Sequence, residues 1–424
     1  MADFLHGVET ILVTKGPVPV REVKSAVVFL VGTAPVHFTK PADVSENDWY
    51  DEVVNKPILV LNREAGARFF GEPTPGYTIP YALDAIFDHG GTTIIVVNVF
   101  DPRVHKDNNN QPDPTKVTAS DIIGTVTSTG KRTGLQIVES LFPQFGFTAK
   151  ILIAPGYSVL PAVATEMIAK ANQKAVRGIA LIDAPVGFTP QQVINARGQG
   201  GILNFSDYRA VICYPHLKVW DTATNSPRLE PFSARLAGVI AKTDHEKGYW
   251  WSPSNQEIQG IIGMERLITC SINDPNTEAN QLNAVGVVTV FNSFGTGYRV
   301  WGNRSSAFPS KTDPANFINI QRTADIIAES LEYYAMQWLD KPIQVAIDGV
   351  LSGVNAFIRT LIGRGALIDG YCYFPKDKNP ESKLAAGHIT FAYHIMPPPP
   401  AERITFYEVL DIELLKKIAQ LYSA

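Results

Sequence analysis

The string from Gly124 to Thr133 comes nearest in this chain to a loop that could hold a phosphate. Such a loop needs GxxxxGK followed by Ser or Thr, so that backbone N–H groups surround the phosphates and Lys reaches them. Here the spacing between Gly124 and Gly130 is one residue too long, and Lys131 is followed by Arg132. An ordinary polar turn is expected instead. Gly295, Gly297 and Gly302 sketch a dinucleotide fingerprint, but the third glycine comes too late and no helical pattern follows it. The GxSxG elbow of an α/β-hydrolase nucleophile is absent, and the histidines include neither HExxH nor a pair at one-turn spacing. Asp183 ends an apolar run and precedes Ala184 and Pro185. A parallel-sheet enzyme could place a carboxylate there, yet turn initiation before proline accounts for it and is preferred. Asp244 beside His245 reads as a helix-end pair rather than a dyad, because adjacent residues do not share a helix face. No catalytic, cofactor-binding or metal residue is assigned, and no cofactor is expected.

The elements that would position any chemistry follow from composition and periodicity. A chain of 424 residues, 45% hydrophobic and 18% charged, has material for two or three domains. Its 37 basic and 41 acidic residues leave a net charge of −4 with no basic block, so nucleic-acid binding is not expected. Cys213, Cys270 and Cys372 stand far apart and are expected to be buried small hydrophobes. The first twenty residues carry Asp3, His6, Glu9 and Lys15 and lack the pattern of a secretory signal. No run of about 18 uncharged apolar residues occurs, so no membrane insertion is expected and the product is read as soluble and cytoplasmic.

Residues 1–24 read as an extended arm. Val8, Glu9, Thr10, Ile11, Leu12 and Val13 are β-prone, and the prolines at 17 and 19 forbid a helix. Residues 25–118 read as a small α/β unit, with buried strands over 26–32 and 92–99, helices over 63–70 and 81–89, and a surface loop over 101–118. Strands and helices then alternate through 119–284, which predicts a parallel sheet with crossover helices. A helix is expected over 231–245 and a mixed loop and helix over 255–267. Residues 285–400 combine strands over 285–291 and 299–301 with helices over 319–338 and 342–361, and 382–396 is β-like. Four prolines, 397–400, form a stiff spacer before a β-like stretch of Arg403, Ile404, Thr405, Phe406, Tyr407, Glu408 and Val409. Residues 401–424 thus read as a second arm, finishing in a short amphipathic helix from 412 to 421.

The stretch from Ser233 to Asp244, followed by Lys247 to Asn255, resembles the most distinctive block of the contractile tail sheath family. Leu282-Asn283, Gly286-Val287, Arg299 to Arg304 and Phe317 to Arg322 are similar to further strings of that family. So are Phe4 to Val8, Ile153 to Gly156, Ala180 to Pro185 and Glu402 to Phe406, and the matches fall in order from end to end. Ser305 stands where Thr is usual, and Tyr249-Trp250-Trp251-Ser252 replaces a more typical Val-Trp-Lys-Ala.

The resemblance implies an α/β and α+β multidomain protein. It would have a subtilisin-like parallel-sheet middle domain lacking a protease triad, an inner α+β C-terminal domain, and extended β-strand arms at both termini. It also implies a structural, non-enzymatic subunit that stacks in six-fold rings around an inner tail tube protein, meets baseplate and tail terminator proteins, and contracts. The expected place is the virion tail, after assembly in the host bacterial cytoplasm. On this reading both arms pair with a neighbouring copy, alongside an acceptor sheet at Ile389, Thr390, Phe391, Ala392, Tyr393 and His394. Arg359, Arg364, Lys416 and Lys417 are candidate contacts to the tube or a neighbour, although such charges are commonly just solvated. Arg304, Arg322 and Asp244 serve either an internal ion-pair network or such a contact. The sheath of an R-type bacteriocin or a related injection system is an alternative, and a soluble α/β hydrolase a remote one.

Overall fold

Every residue of the strand Val27–Gly32 is buried, because helices cover both of its faces. The computed structural model describes residues 18–222, 224–293 and 295–421, so the expected strand from Val8 to Val13 lies outside the described residues. In chain order the first elements are β1 (Val27–Gly32), α1 (Glu46–Val53), β2 (Pro57–Val60), α2 (Arg63–Phe70), α3 (Ile79–Phe87) and β3 (Thr93–Asn98). Next come α4 (Ala119–Ile123), α5 (Leu141–Phe145), β4 (Ile151–Ile153), α6 (Pro161–Asn172), β5 (Ile179–Asp183), α7 (Pro190–Arg197) and β6 (Ala210–Cys213). A hairpin of β7 (Leu217–Asp221) and β8 (Ser226–Glu230) leads into α8 (Phe232–Glu246), β9 (Gly263–Met264), α9 (Glu278–Asn283), β10 (Val287–Ser293) and β11 (Gly297–Trp301). The last part holds α10 (Ile318–Ala335), α11 (Ile343–Gly363), β12 (Asp369–Tyr373), α12 (Glu381–Ala385), β13 (Ala392–Met396) and, after the turn Ile412–Leu415, α13 (Lys416–Leu421).

Eight strands form one sheet in the order β11-β10-β6-β5-β4-β1-β3-β2. The six inner strands run parallel and the two edges antiparallel. Side chains alternate across it: Val28 and Leu30 join the core beneath α3 and α8, while Val27, Phe29 and Val31 join the core beneath α6. Helix α8 is buried over most of its circumference, and Gly238 packs against the end of α3, where a Cβ would lie 3.0 Å from Ile86 O. A Cβ at Gly238 would lie 2.7 Å from His89 Nδ1, so the crossing requires glycine. A third core joins α10 and α11 to the two-stranded ribbon β12–β13 through Ile327, Phe357, Ile358 and Cys372.

Several expectations need correcting. The main sheet runs across the limits drawn at 118/119 and 284/285, since β1 sits between β4 and β3, and β10 pairs with β6. Residues 255–267 contain the short strand β9 and loop, without helix. The β-like stretch 382–396 is helical over Glu381–Ala385 and becomes a strand only at Ala392, so Ile389, Thr390 and Phe391 precede the ribbon. Asn379 is the cause: its side chain bonds Thr390 N–H at 2.7 Å and Thr390 O at 2.8 Å, taking the groups a ladder would use. Apart from these points, residues 403–409 pair with no strand among the described residues. Among the described residues, α11 alone is long and apolar enough to cross a membrane by length and composition, though it carries Asp348 and Arg359. Its Val350, Val354, Phe357 and Leu361 are buried in the third core.

Candidate assembly interface

The residues that could do chemistry are mostly engaged in structure. The Gly124–Thr133 string is a polar turn closed by Thr127 N–H to Lys131 O at 2.9 Å. Gly124 has φ +70, and a Cβ there would sit 1.9 Å from Thr133 O, so this glycine closes the turn rather than clearing room for a phosphate. Gly297 opens β11 of a hairpin, with no helix after it. Asp183 is buried at the end of β5, where one oxygen accepts Ser233 N–H at 2.8 Å and the other accepts the Ser233 and Ser158 hydroxyls at 2.5 and 3.0 Å. The carboxylate therefore caps α8, a role not foreseen for it, and satisfies a first-turn N–H that no local side chain reaches. Burial pushes its pKa up, opposed by His216 and by these hydrogen bonds. His245 is exposed in the last turn of α8 while the Asp244 side chain points inward.

Crossovers leave β1 and β4 in opposite directions, so their carboxyl ends flank the crevice where α/β enzymes bind ligands. A cavity of about 520 Å³ opens there, lined by Tyr77, Tyr81, Pro155, Gly156, Arg228 and Glu230. Arg228 covers the Tyr81 ring at 3.8 Å and pairs with Glu230 at 3.2 Å and Asp221 at 3.8 Å. These charges serve one another and pin the β7–β8 hairpin to α3.

The amino end of the sheet is closed by α10. Arg322, Asp325, Glu329 and Glu332 recur at three- and four-residue steps and so share one helix face. Arg322 holds Asp244 through two bonds, at 2.6 and 2.8 Å. Asp325 pairs with Arg209 just before β6, Glu329 with Lys150 just before β4, and Glu332 with Arg177 just before β5. Burial lowers the Lys150 pKa against the pull of Glu329, and raises that of Asp325 against Arg209. Of the two roles open to Arg322 and Asp244, the internal network is the one observed. Sequence reasoning missed Lys150, Arg177 and Arg209, although each stands directly before an apolar strand.

Residues 18–25 run along α10 against its direction. Val18 exchanges two bonds with the Gln337 side chain at 3.0 and 3.1 Å, Val23 N–H reaches Ser330 Oγ at 3.1 Å, and Arg322 reaches Ser25 O at 3.3 Å. On the other side, Asn319 donates to Pro398 O at 3.3 Å and Arg304 grips both carboxylate oxygens of Glu402. Arg304 itself lies over the Phe308 and Phe317 rings, 4.3 Å from each centroid. Beyond this clamp the described residues 403–418 are exposed, with Phe406, Tyr407 and Leu410 at 90%, 91% and 87%. Among the candidate contacts, Arg364 pairs with Glu22 and lies over Trp250, Lys416 pairs with Glu413 at 3.2 Å, and Arg359 and Lys417 are exposed.

Such long apolar exposure is unfavourable in an isolated chain and is relieved by pairing with another. The body is an α/β sheet closed at one end by α10, and the apolar segment after Glu402 stands off its surface. The family model for the phage tail sheath protein central domain matches residues 130–306, and that for the phage tail sheath C-terminal domain matches 310–410. The tail sheath protein of Burkholderia phage BcepMu is 40% identical, with 98% of each chain covered. A putative prophage major tail sheath protein of Pseudomonas aeruginosa strain UCBPP-PA14 is 33% identical over 96% of this chain and 97% of that one. The fold matches the helical sheath of the anti-feeding prophage in its contracted state with a TM-score of 0.68 at 20% identity, covering 96% and 99%. The chain belongs to the phage tail sheath family.

Proposed function

We infer that this chain is the structural subunit of a contractile tail sheath, polymerising as stacked rings around an inner tube and contracting to drive that tube through a target envelope. The observation that carries this is the segment after Glu402: a strand's length of apolar side chains standing in solvent, on a chain of the sheath family. Arg403 to Val409 lend a strand to the ribbon of another copy, beside Ala392, Tyr393 and His394, and Val8 to Val13 lend a second. The ribbon supports this role because a two-stranded sheet is marginal alone and, among the described residues, both its edges are open. Since the contact is head-to-tail and does not close on itself, it propagates as a helical tube.

The segments at 16–19 and 397–400 act as tethers that keep donated strands paired while the bodies rotate. Contraction then draws on repacked interfaces, and the extended state is kinetically trapped. Six-fold rings, a tube protein, baseplate and terminator partners, and residence in the virion tail complete the reading; no enzymatic step belongs to it. Of the candidate contacts Arg359, Arg364, Lys416 and Lys417, the first and last carry no ion pair among the described residues and are the readiest to meet a tube or neighbour.

Removing residues 1–19 or 403–424 should leave folded monomers that no longer polymerise. Tubes formed by either truncation in negative-stain micrographs would overturn the reading.

A further inference from the structure

Helix α11 covers one face of the ribbon, where Gly370 and Ile395 meet Ile358. The opposite face carries Tyr371, His394 and Tyr373 as a stacked row, with ring centroids 4.9 Å and 5.8 Å from His394. Tyr371 is 53% exposed and Tyr373 40%, and among the described residues no element covers them. An aromatic sheet face of this kind is stable only against a further layer.

The arm supplies a layer that packs on nothing among the described residues. Ile412, Leu415, Ile418 and Leu421 recur every third residue and are 79%, 59%, 54% and 77% exposed. Only Leu410 and Asp411 separate Val409 from that helical segment, which is the length of an ordinary strand-to-helix connection. A strand ending at Val409 on the ribbon edge therefore delivers its helix to the ribbon itself. Of the two ribbon faces, α11 already occupies one. Charge is compatible with the same placement: Asp369 stands on the aromatic face by strand alternation, and Lys417, with no ion pair among the described residues, lies in the first turn of the helix.

We propose that the C-terminal helix of the arriving arm, Ile412 to Leu421, folds over the Tyr371–His394–Tyr373 face of another copy, so that the ribbon is sandwiched between its own α11 and a neighbour's α13. This rests on the strand-exchange reading and adds a second, helical contact to it. The test is a photocrosslinking phenylalanine analogue at Leu415, in tubes assembled from a mixture of isotopically heavy and light full-length chains. Adducts joining position 415 to residues 369–373 or 392–396 of a differently labelled chain are expected. Adducts to any other surface, to the same chain, or none above background while tubes form, would overturn the proposal.

Leu415→Asp, whose side chain is exposed in the monomer, should leave circular dichroism unchanged and raise the protein concentration needed for tubes by about tenfold or more. An unchanged threshold would count against the helical contact. Two truncations separate the claims: tubes from a chain ending at Glu402 defeat strand exchange itself, whereas tubes at normal threshold from a chain ending at Leu410, but none from the shorter one, defeat the helical contact alone.

Discussion

Arg304 holds Glu402 by both carboxylate oxygens across 98 residues of sequence, and the described chain beyond that point stays clear of the body. On the proposed function, the clamp sets the direction in which the arm leaves. Glu402 is 43% exposed, so its removal costs the monomer less than about 1 kcal/mol. Glu402→Ala should therefore melt with the parent in differential scanning fluorimetry yet need more protein to form tubes. An assembly threshold equal to the parent's would show that the clamp does not aim the arm.

Lys150 and Glu329 form a buried pair at the centre of the α10 seam. Glu329→Gln leaves an ammonium group without its counter-charge, at a cost of about 3–5 kcal/mol. Replacing both, as Lys150→Met with Glu329→Leu, should recover most of that loss, because both charges leave the interior together. Urea unfolding of the single and double variants decides this, and equal losses in the two would contradict it.

Among the described residues Arg197 has no carboxylate partner and instead donates to five backbone carbonyls, those of Leu203, Phe205, Val285, Ser306 and Phe308. It stitches α7 to the chain around β10, and burial lowers its pKa to about 10. Lys keeps the charge but loses the planar fork. Arg197→Lys should destabilise by about 3 kcal/mol, as several buried acceptors go unpaired. A loss below about 1 kcal/mol by chemical denaturation would mean that water replaces the fork.

His89 lies between α3 and α8, with Nε2 accepting Gln259 N–H at 3.0 Å and Nδ1–H donating to Ala85 O at 3.0 Å. Burial pulls its pKa from 6.5 down to about 4. Between these values the unfolded chain binds the proton and the folded one does not, so stability falls as the solution is acidified. The contribution is complete above pH 6.5 and declines by about 1.4 kcal/mol per pH unit down to about 4. His89→Gln should flatten that part of the pH dependence of the urea midpoint. An unaltered slope in the variant would place the acid sensitivity elsewhere.

The apolar runs 26–32 and 178–183 announced buried strands, and the patterns in 319–338 and 342–361 announced the long helices. Strand order was hidden, because nothing local in β1 says that β4 will pair on its other side. The α10 seam was hidden for a similar reason: Lys150, Arg177 and Arg209 look like strand-flanking charges until the sheet order lines them up under one helix face. In the arm, Ile404, Phe406 and Val409 were legible as strand material, but a lone chain offers them no ladder. At 389–391 a single side chain, Asn379, replaced the ladder with two hydrogen bonds that propensity does not foresee.

The most direct measurement is a cryo-electron microscopy map of the assembled tube, traced from Glu402 onward. Backbone density for 403–409 should run beside β13 or β12 of another subunit at ladder spacing, about 4.8 Å. Density that turns back onto its own body, or that leaves those edges bare, would contradict the account.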